Sequence, residues 1–265
     1  MSVTSSPIGI FDSGVGGLTV LKALRERMPG EQFVYLGDTA RLPYGTKTSD
    51  TVRRYALNAA AHLNLHRVKL LVVACNTASS FALDEVAAAS PVPVVGVVQP
   101  GARTALLTGA DRIGVIGTEG TIRSAAYQTA LAGLGSGVEV RAEPCPLFVP
   151  LAEEGWGDHP VTDQIARHYL TSLLEWGAQT VILGCTHYPL LRPSLHRVVG
   201  PNVYLVDSAS AVAEAVVTDH AELIDTSHGK QGDVHIQLTD ASERFLRIAK
   251  EILGRDPEHL EVVDI

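Results

Sequence analysis

The chain has 265 residues, enough for one large or two ordinary domains, either of which can bury a full core. Hydrophobic residues are 46% and charged residues 19%, and no apolar run approaches the roughly 18 residues of a membrane helix, which excludes a membrane protein. A net charge of −8 without a Lys/Arg-rich tract argues against a nucleic-acid partner, and three cysteines without a CxxC pair argue against a disulfide framework or a cysteine-based zinc site.

The N-terminal stretch MSVTSSPIGIFDSG runs directly into a strand at about 8–12, with no basic region ahead of an apolar one, and is read as cytoplasmic. After that strand, GIFDSGVGGLTV is a Gly-rich turn and a helix start, similar to a dinucleotide fingerprint, with Asp38 about 20 residues beyond. Thr19 stands where a third glycine belongs, and Asp12 would set a carboxylate beside a pyrophosphate. The preferred expectation is that Asp12 points into a crevice to receive a cation such as a substrate ammonium, while Ser13 and the following N–H groups hold an oxygen. Asp12 as a plain turn or cap residue is the bland alternative.

The next strand is expected at about 33–37, followed by the loop GDTARLPYGT, whose Pro43, Tyr44 and Gly45 lie at a strand end and so are candidates to line a pocket. The run KLLVVA predicts a strand at 69–74 covered on both faces, ending at Cys75, Asn76 and Thr77 ahead of the helical stretch SSFALDEVAAA. A strand at about 92–97 and the punctuation VVQPGA at 97–102 suggest a domain boundary.

Beyond it, strands are expected at about 112–116, 137–142, 179–183 and 203–206. IGVIGTEG from 113 echoes IGIFDSG from 8, and TVILGCTHYP around Cys185 echoes LLVVACNTAS around Cys75, at offsets of 105 and 110 residues. Alternating strands and helices with this echo predict two similar parallel-sheet α/β domains related by pseudo-two-fold symmetry, with the active site in the cleft between them. Residues 1–98 plus 208–265 would form the first and 99–207 the second, with SERFLRIAKEIL at 242–253 as a closing amphipathic helix and no visible chemistry after 220.

Cys75 and Cys185 are both expected between a strand's C-terminal end and a helix's N-terminus, a position that favours a thiolate. A single buried cysteine is usually a small hydrophobe, but a matched pair followed by Asn76-Thr77 and Thr186-His187 is hard to dismiss. Cys145, between two prolines, is read as structural, and the carboxylates of LAEEGW at 151–156 as surface by default. A redox pair is most often written CxxC, zinc needs further ligands, and a hydrolytic Cys-His pair leaves the second thiol unexplained. A base on one face of a carbon and an acid on the other, that is, racemisation or epimerisation without a cofactor, explains both thiols. A thiol suits that work because its free pKa of about 8.5 keeps both protonation states within reach.

Five ordered stretches, GIFDSGVGGLTV, GDTARLPYG, ACNTAS, LFVPLAEEGW and GCTHYPLL, resemble the motifs of the glutamate racemases, in the aspartate/glutamate racemase family. The resemblance implies two α/β domains facing each other across the site, no pyridoxal phosphate, no metal, a commonly homodimeric enzyme, and interconversion of L- and D-glutamate, the D-form supplying peptidoglycan precursors. By motif, Cys75 resembles the thiol that handles the α-proton of D-glutamate and Cys185 that of L-glutamate. Asp12 and His187 resemble their proton-tuning neighbours, and Glu153 a lesser supporting carboxylate. Ser13, Tyr44, Gly45, Asn76, Thr77 and Thr186 match substrate-binding positions, and Thr118 and Thr121 would add donors at the second domain's first helix. The rivals are aspartate racemase, a nucleotide-binding protein using the turn at 14–19, and a non-catalytic amino-acid sensor.

Overall fold

The computed structural model describes residues 5–135, 137–224, 231–257 and 259–265, so the first four residues of the N-terminal stretch discussed above lie outside it. Strand β1 (Ile8–Asp12) is buried at all five positions and lies between β2 (Phe33–Gly37) and β3 (Leu70–Val73), parallel to both. β4 (Val94–Gly96) extends the sheet beyond β3, and β9 (Val234–Leu238) and β10 (His259–Val262) extend it beyond β2, in the order β10-β9-β2-β1-β3-β4. A second parallel sheet holds β5 (Arg112–Gly117), β6 (Glu139–Pro144), β7 (Thr180–Gly184) and β8 (Tyr204–Asp207) in the order β6-β5-β7-β8. With β5 as the counterpart of β1, this repeats the order β2-β1-β3-β4. The two cysteine strands, β3 and β7, therefore occupy equivalent places.

Side chains alternate across each strand, and this alternation sorts the core into layers. Ile8 and Ile10 face helices α1 (Leu18–Arg27), α10 (Ser208–Asp219) and α11 (Glu243–Leu253), whereas Phe11, Leu71 and Val73 face α2 (Ser49–Leu65) and α3 (Asn76–Ala89). In the second sheet Ile113, Val115 and Ile182 pack against α4 (Val98–Leu107) and α6 (Ala126–Gly133). Ile116, Val181 and Leu183 pack against α7 (Phe148–Glu153), α8 (Pro160–Glu175) and α9 (Arg192–Val199). The architecture is thus α/β, with both faces of each parallel sheet covered, which is why the strands read as unbroken apolar runs. The chain leaves the first sheet through α4, packed on the second, and comes back through α10, which follows β8 directly and packs with α1. Among the described residues no helix is long and apolar enough to cross a membrane.

The tail holds more than the expected closing helix. α11 is capped by Ser242, whose Oγ accepts the Phe245 N–H at 3.2 Å, and buries Phe245, Ile248, Ala249 and Ile252, an i, i+3, i+4, i+7 stripe. Strands β9 and β10 on either side of it were not expected. β9 reads VHIQL, and β10 is mostly exposed at the sheet edge, so neither shows the apolar run by which the inner strands are recognised.

Candidate active site

The turn after β1 closes on its own carboxylate. Asp12 is fully buried, and its Oδ2 accepts the N–H groups of Gly14 at 2.9 Å and Gly17 at 3.0 Å, while the Thr186 hydroxyl donates to Oδ1 at 3.4 Å. Position 17 must be glycine, since a Cβ there would lie 2.3 Å from Asp12 Cβ. The Leu18 and Thr19 N–H groups go to the carbonyls of Val15 and Gly16. The donors a dinucleotide phosphate would need from this turn are therefore largely spent within it, with a carboxylate at its centre.

One cavity draws its walls from both sheets. It is lined by Ser13, Pro43, Tyr44, Gly45, Cys75, Asn76 and Thr77 on one side and Thr118, Glu153, Cys185, Thr186 and His187 on the other. Asp12 and Thr121 stand behind this wall, touching the lining residues Thr186 and Thr118. Gly14, Leu42 and Val149 also line it and were not singled out from the sequence, although all three fall inside the quoted motifs.

Cys75 is the N-cap residue of α3, and its sulfur lies 3.5 Å from the Ser13 hydroxyl. Burial first, and the Asp12 charge second, push its thiol up to about 12, against the pull of the Ala78 N–H and Ser13. The Ala78 N–H at the helix N-terminus favours the thiolate, in the expected direction, but desolvation of a buried anion opposes it more strongly.

Cys185 follows β7 but does not cap an α-helix. A short 3₁₀ turn at Tyr188–Leu191 intervenes, and α9 begins only at Arg192, so the parallel with Cys75 holds for the strand and not for the helix. The neighbour that distinguishes Cys185 is His187, whose Nδ1 lies 3.9 Å from its sulfur and whose Nε2 lies 3.2 Å from Glu153 Oε1 as a close ion pair with imperfect hydrogen-bond alignment. Burial alone would lower the imidazole's pKa, but contact with Cys185 and Glu153 more than offsets it and holds the group up at about 10. Glu153 is in turn held below its usual range by His187 and Arg244 against the opposing effect of burial.

The remaining polar lining forms two groups. The hydroxyls of Thr77, Thr118 and Thr121 meet at 2.9 to 3.3 Å, joining α3 of the first sheet to the cap of α5 (Glu119–Arg123) in the second. Asn76 donates through Nδ2 to the Tyr127 hydroxyl at 2.8 Å and to Ser208 Oγ at 2.9 Å, while its buried Oδ1 has no partner. Asn76 lines the cavity, so a bound donor is one means of satisfying this orphan acceptor. Cys145 lies away from the cavity in the apolar core, with its thiol pushed up by burial and then by Glu143. Among the described residues no three His, Cys, Asp or Glu side chains converge to hold a metal ion.

Comparison with known proteins gives the same direction throughout. Residues 18–216 match the family model of the Asp/Glu/hydantoin racemases. A glutamate racemase of Geobacter metallireducens is 51% identical over 250 residues, spanning 93% of this chain and 92% of that protein. The crystal structure of glutamate racemase from Thermus thermophilus in complex with β-chloro-D-alanine is 44% identical, with a TM-score of 0.88 over 99% of this chain and 98% of that one. That of Francisella tularensis in complex with D-glutamate is 34% identical, with a TM-score of 0.90 over 98% of each. With the match spanning both sheets and both cysteine strands, the chain belongs to the Asp/Glu/hydantoin racemase family.

Proposed function

We propose that this protein interconverts L- and D-glutamate by two-base proton transfer between Cys75 and Cys185. The observation that carries the reading is the pair of cysteines, one from the end of β3 and one from the end of β7, in the wall of a single cavity between two sheets. A thiolate removes the α-proton from one face of the substrate, and the opposite thiol delivers a proton to the other, so the two sulfurs exchange states at each turnover. His187, standing between Cys185 and Glu153, is placed to hand a proton to the Cys185 sulfur and to stabilise its charge.

The intermediate carbanion is the costly species. Its charge spreads onto the α-carboxylate, so fixed donors in a closed, dry site lower the barrier most. The Thr77 and Thr118 hydroxyls, backed by that of Thr121, suit one of the substrate's two carboxylates, and Asn76 Oδ1 suits its ammonium. This moves the expected ammonium partner from Asp12, whose Oδ2 is already engaged, to Asn76. Because the protein is acidic overall, these local donors must outweigh a repulsion that salt screens over about 8 Å.

The scheme requires neither cofactor nor metal. Residues 1–98 plus 208–265 and residues 99–207 act as two domains that close on the substrate, in a cytoplasmic homodimer whose D-glutamate supplies peptidoglycan precursors. The test is α-hydrogen exchange in heavy water with L-glutamate, D-glutamate and both aspartates. Deuterium is expected at the α-carbon of either glutamate enantiomer as the optical rotation decays. Faster exchange of aspartate would shift the assignment to aspartate racemase, and binding of glutamate without exchange would make the protein a sensor.

A further inference from the structure

α11 belongs by packing to the six-stranded sheet, yet two guanidinium groups on it reach α7 of the other unit. Arg244 Nε lies 3.7 Å from Glu153 Oε2 while its Nη2 pairs with Glu154, and Arg247 Nη2 donates to the Glu153 carbonyl at 3.1 Å. The other carboxylate oxygen of Glu153 faces His187, which faces Cys185. A row of four side chains, Arg244, Glu153, His187 and Cys185, therefore leads from the surface to one of the two sulfurs. The polar neighbours of Cys75 are of another kind: the Ser13 hydroxyl, the Ala78 N–H and the Asp12 charge.

We propose that Arg244 is a positioning residue for the Cys185 half of the reaction, clamping the Glu153 carboxylate so that it faces the His187 imidazole. The proposal rests on the racemase reading above. The Glu153 side chain is only 15% exposed, and cations on opposite oxygens fix both its rotamer and its charge, whereas with His187 alone it is free to turn. Arg244 is 45% exposed, so solvent screens its pull and the effect of its loss is modest, about fivefold in kcat/KM.

Enantiomers are equal in free energy, so that loss must be the same in both directions and does not by itself say which sulfur is affected. The α-deuterium isotope effect does. Arg244→Gln raises only the barrier for proton transfer at Cys185. The isotope effect on kcat/KM is therefore expected to grow for the enantiomer whose proton Cys185 removes and to shrink for its mirror image. Arg244→Lys, which keeps the cation, should reverse most of the change, and adding Arg244→Gln to Glu153→Gln should cost nothing further. Arg244→Met keeps the aliphatic stem and serves for the same measurement should the Gln variant fold poorly. Isotope effects unchanged in both directions, or losses that add in the double variant, would overturn the proposal. Absence of α-hydrogen exchange in the wild-type protein would instead remove the racemase reading beneath it.

Discussion

Nδ1 of His187 lies 3.9 Å from the Sγ of Cys185. The corresponding neighbour of Cys75 is the Ser13 hydroxyl at 3.5 Å, so the two sulfurs that face one cavity are set up differently. One has an imidazole beside it that can carry a proton, and the other has a hydroxyl.

If both sulfurs are needed, removing either stops racemisation. Cys75→Ala and Cys185→Ala are each expected to lower turnover by at least roughly 10²–10⁴-fold, the usual share of a positioned acid or base. Optical rotation of glutamate measures the loss, and circular dichroism of the protein verifies that the fold survives. Normal turnover in either variant would end the two-base scheme.

The pH dependence of stability follows in part from groups that bind protons more tightly in the folded state, His187 and Cys75 among them. His187 is raised from 6.5 to about 10 and Cys75 from 9.0 to about 12. The folded state therefore holds the extra protons, and stability falls as pH rises. The His187 contribution is complete below about pH 6.5 and gone above about pH 10, with an amplitude on the order of a few kcal/mol. Chemical denaturation between pH 6 and 10 is expected to show a decline in the wild type that His187→Gln flattens. An equal decline in both proteins would show that the imidazole is not held protonated.

Much of this site is legible in the chain because Asp12, Cys75, Thr118 and Cys185 each sit at the end of an apolar run. The strands before Asp12, Cys75, Thr118 and Cys185 are covered on both faces, so their ends can be read to within a residue or two. Three things were less legible. That burial outweighs the helix dipole at Cys75 is a property of packing density, which no local pattern records. That Asp12 turns back onto Gly14 and Gly17 depends on a closure of the turn that the spacing permits without requiring. The contacts of α11 with α7 are not legible because Arg244 and Arg247 read as ordinary solvated charges on an amphipathic helix, and their partners lie some 90 residues away.

Close approach of the turn after β1 to Thr186 and His187 gives a further prediction. A Cβ on Gly16 would lie 2.4 Å from Thr186 Oγ1 and 2.6 Å from His187 Nδ1. Gly16→Ala must therefore displace His187 from Cys185, although both are left chemically intact. A stability loss of about 1–3 kcal/mol is expected from the overpacking, together with a fall in kcat of up to roughly a hundredfold from misplacement. Steady-state kinetics alongside thermal unfolding separates the two. Wild-type kcat in this variant would show that His187 need not stand where it does.

Asn76 offers the sharpest test of how the substrate is held. Its Nδ2 is committed to Tyr127 and Ser208, and its Oδ1 is buried without a partner in the cavity wall. An ammonium bound there makes a charge-assisted hydrogen bond, which typically contributes about 1.5–3 kcal/mol. Asn76→Ala is therefore expected to raise KM for glutamate roughly ten- to hundredfold. Ser208→Ala removes one partner of Nδ2 and leaves Oδ1 in place, so it should cost about 1 kcal/mol of stability with little change in KM. The comparison matters because both variants disturb the same buried hydrogen-bond network and only one removes the acceptor. If the two raise KM equally, Asn76 serves to hold the elements carrying Tyr127 and Ser208 in place, and the ammonium must find its partner elsewhere in the wall.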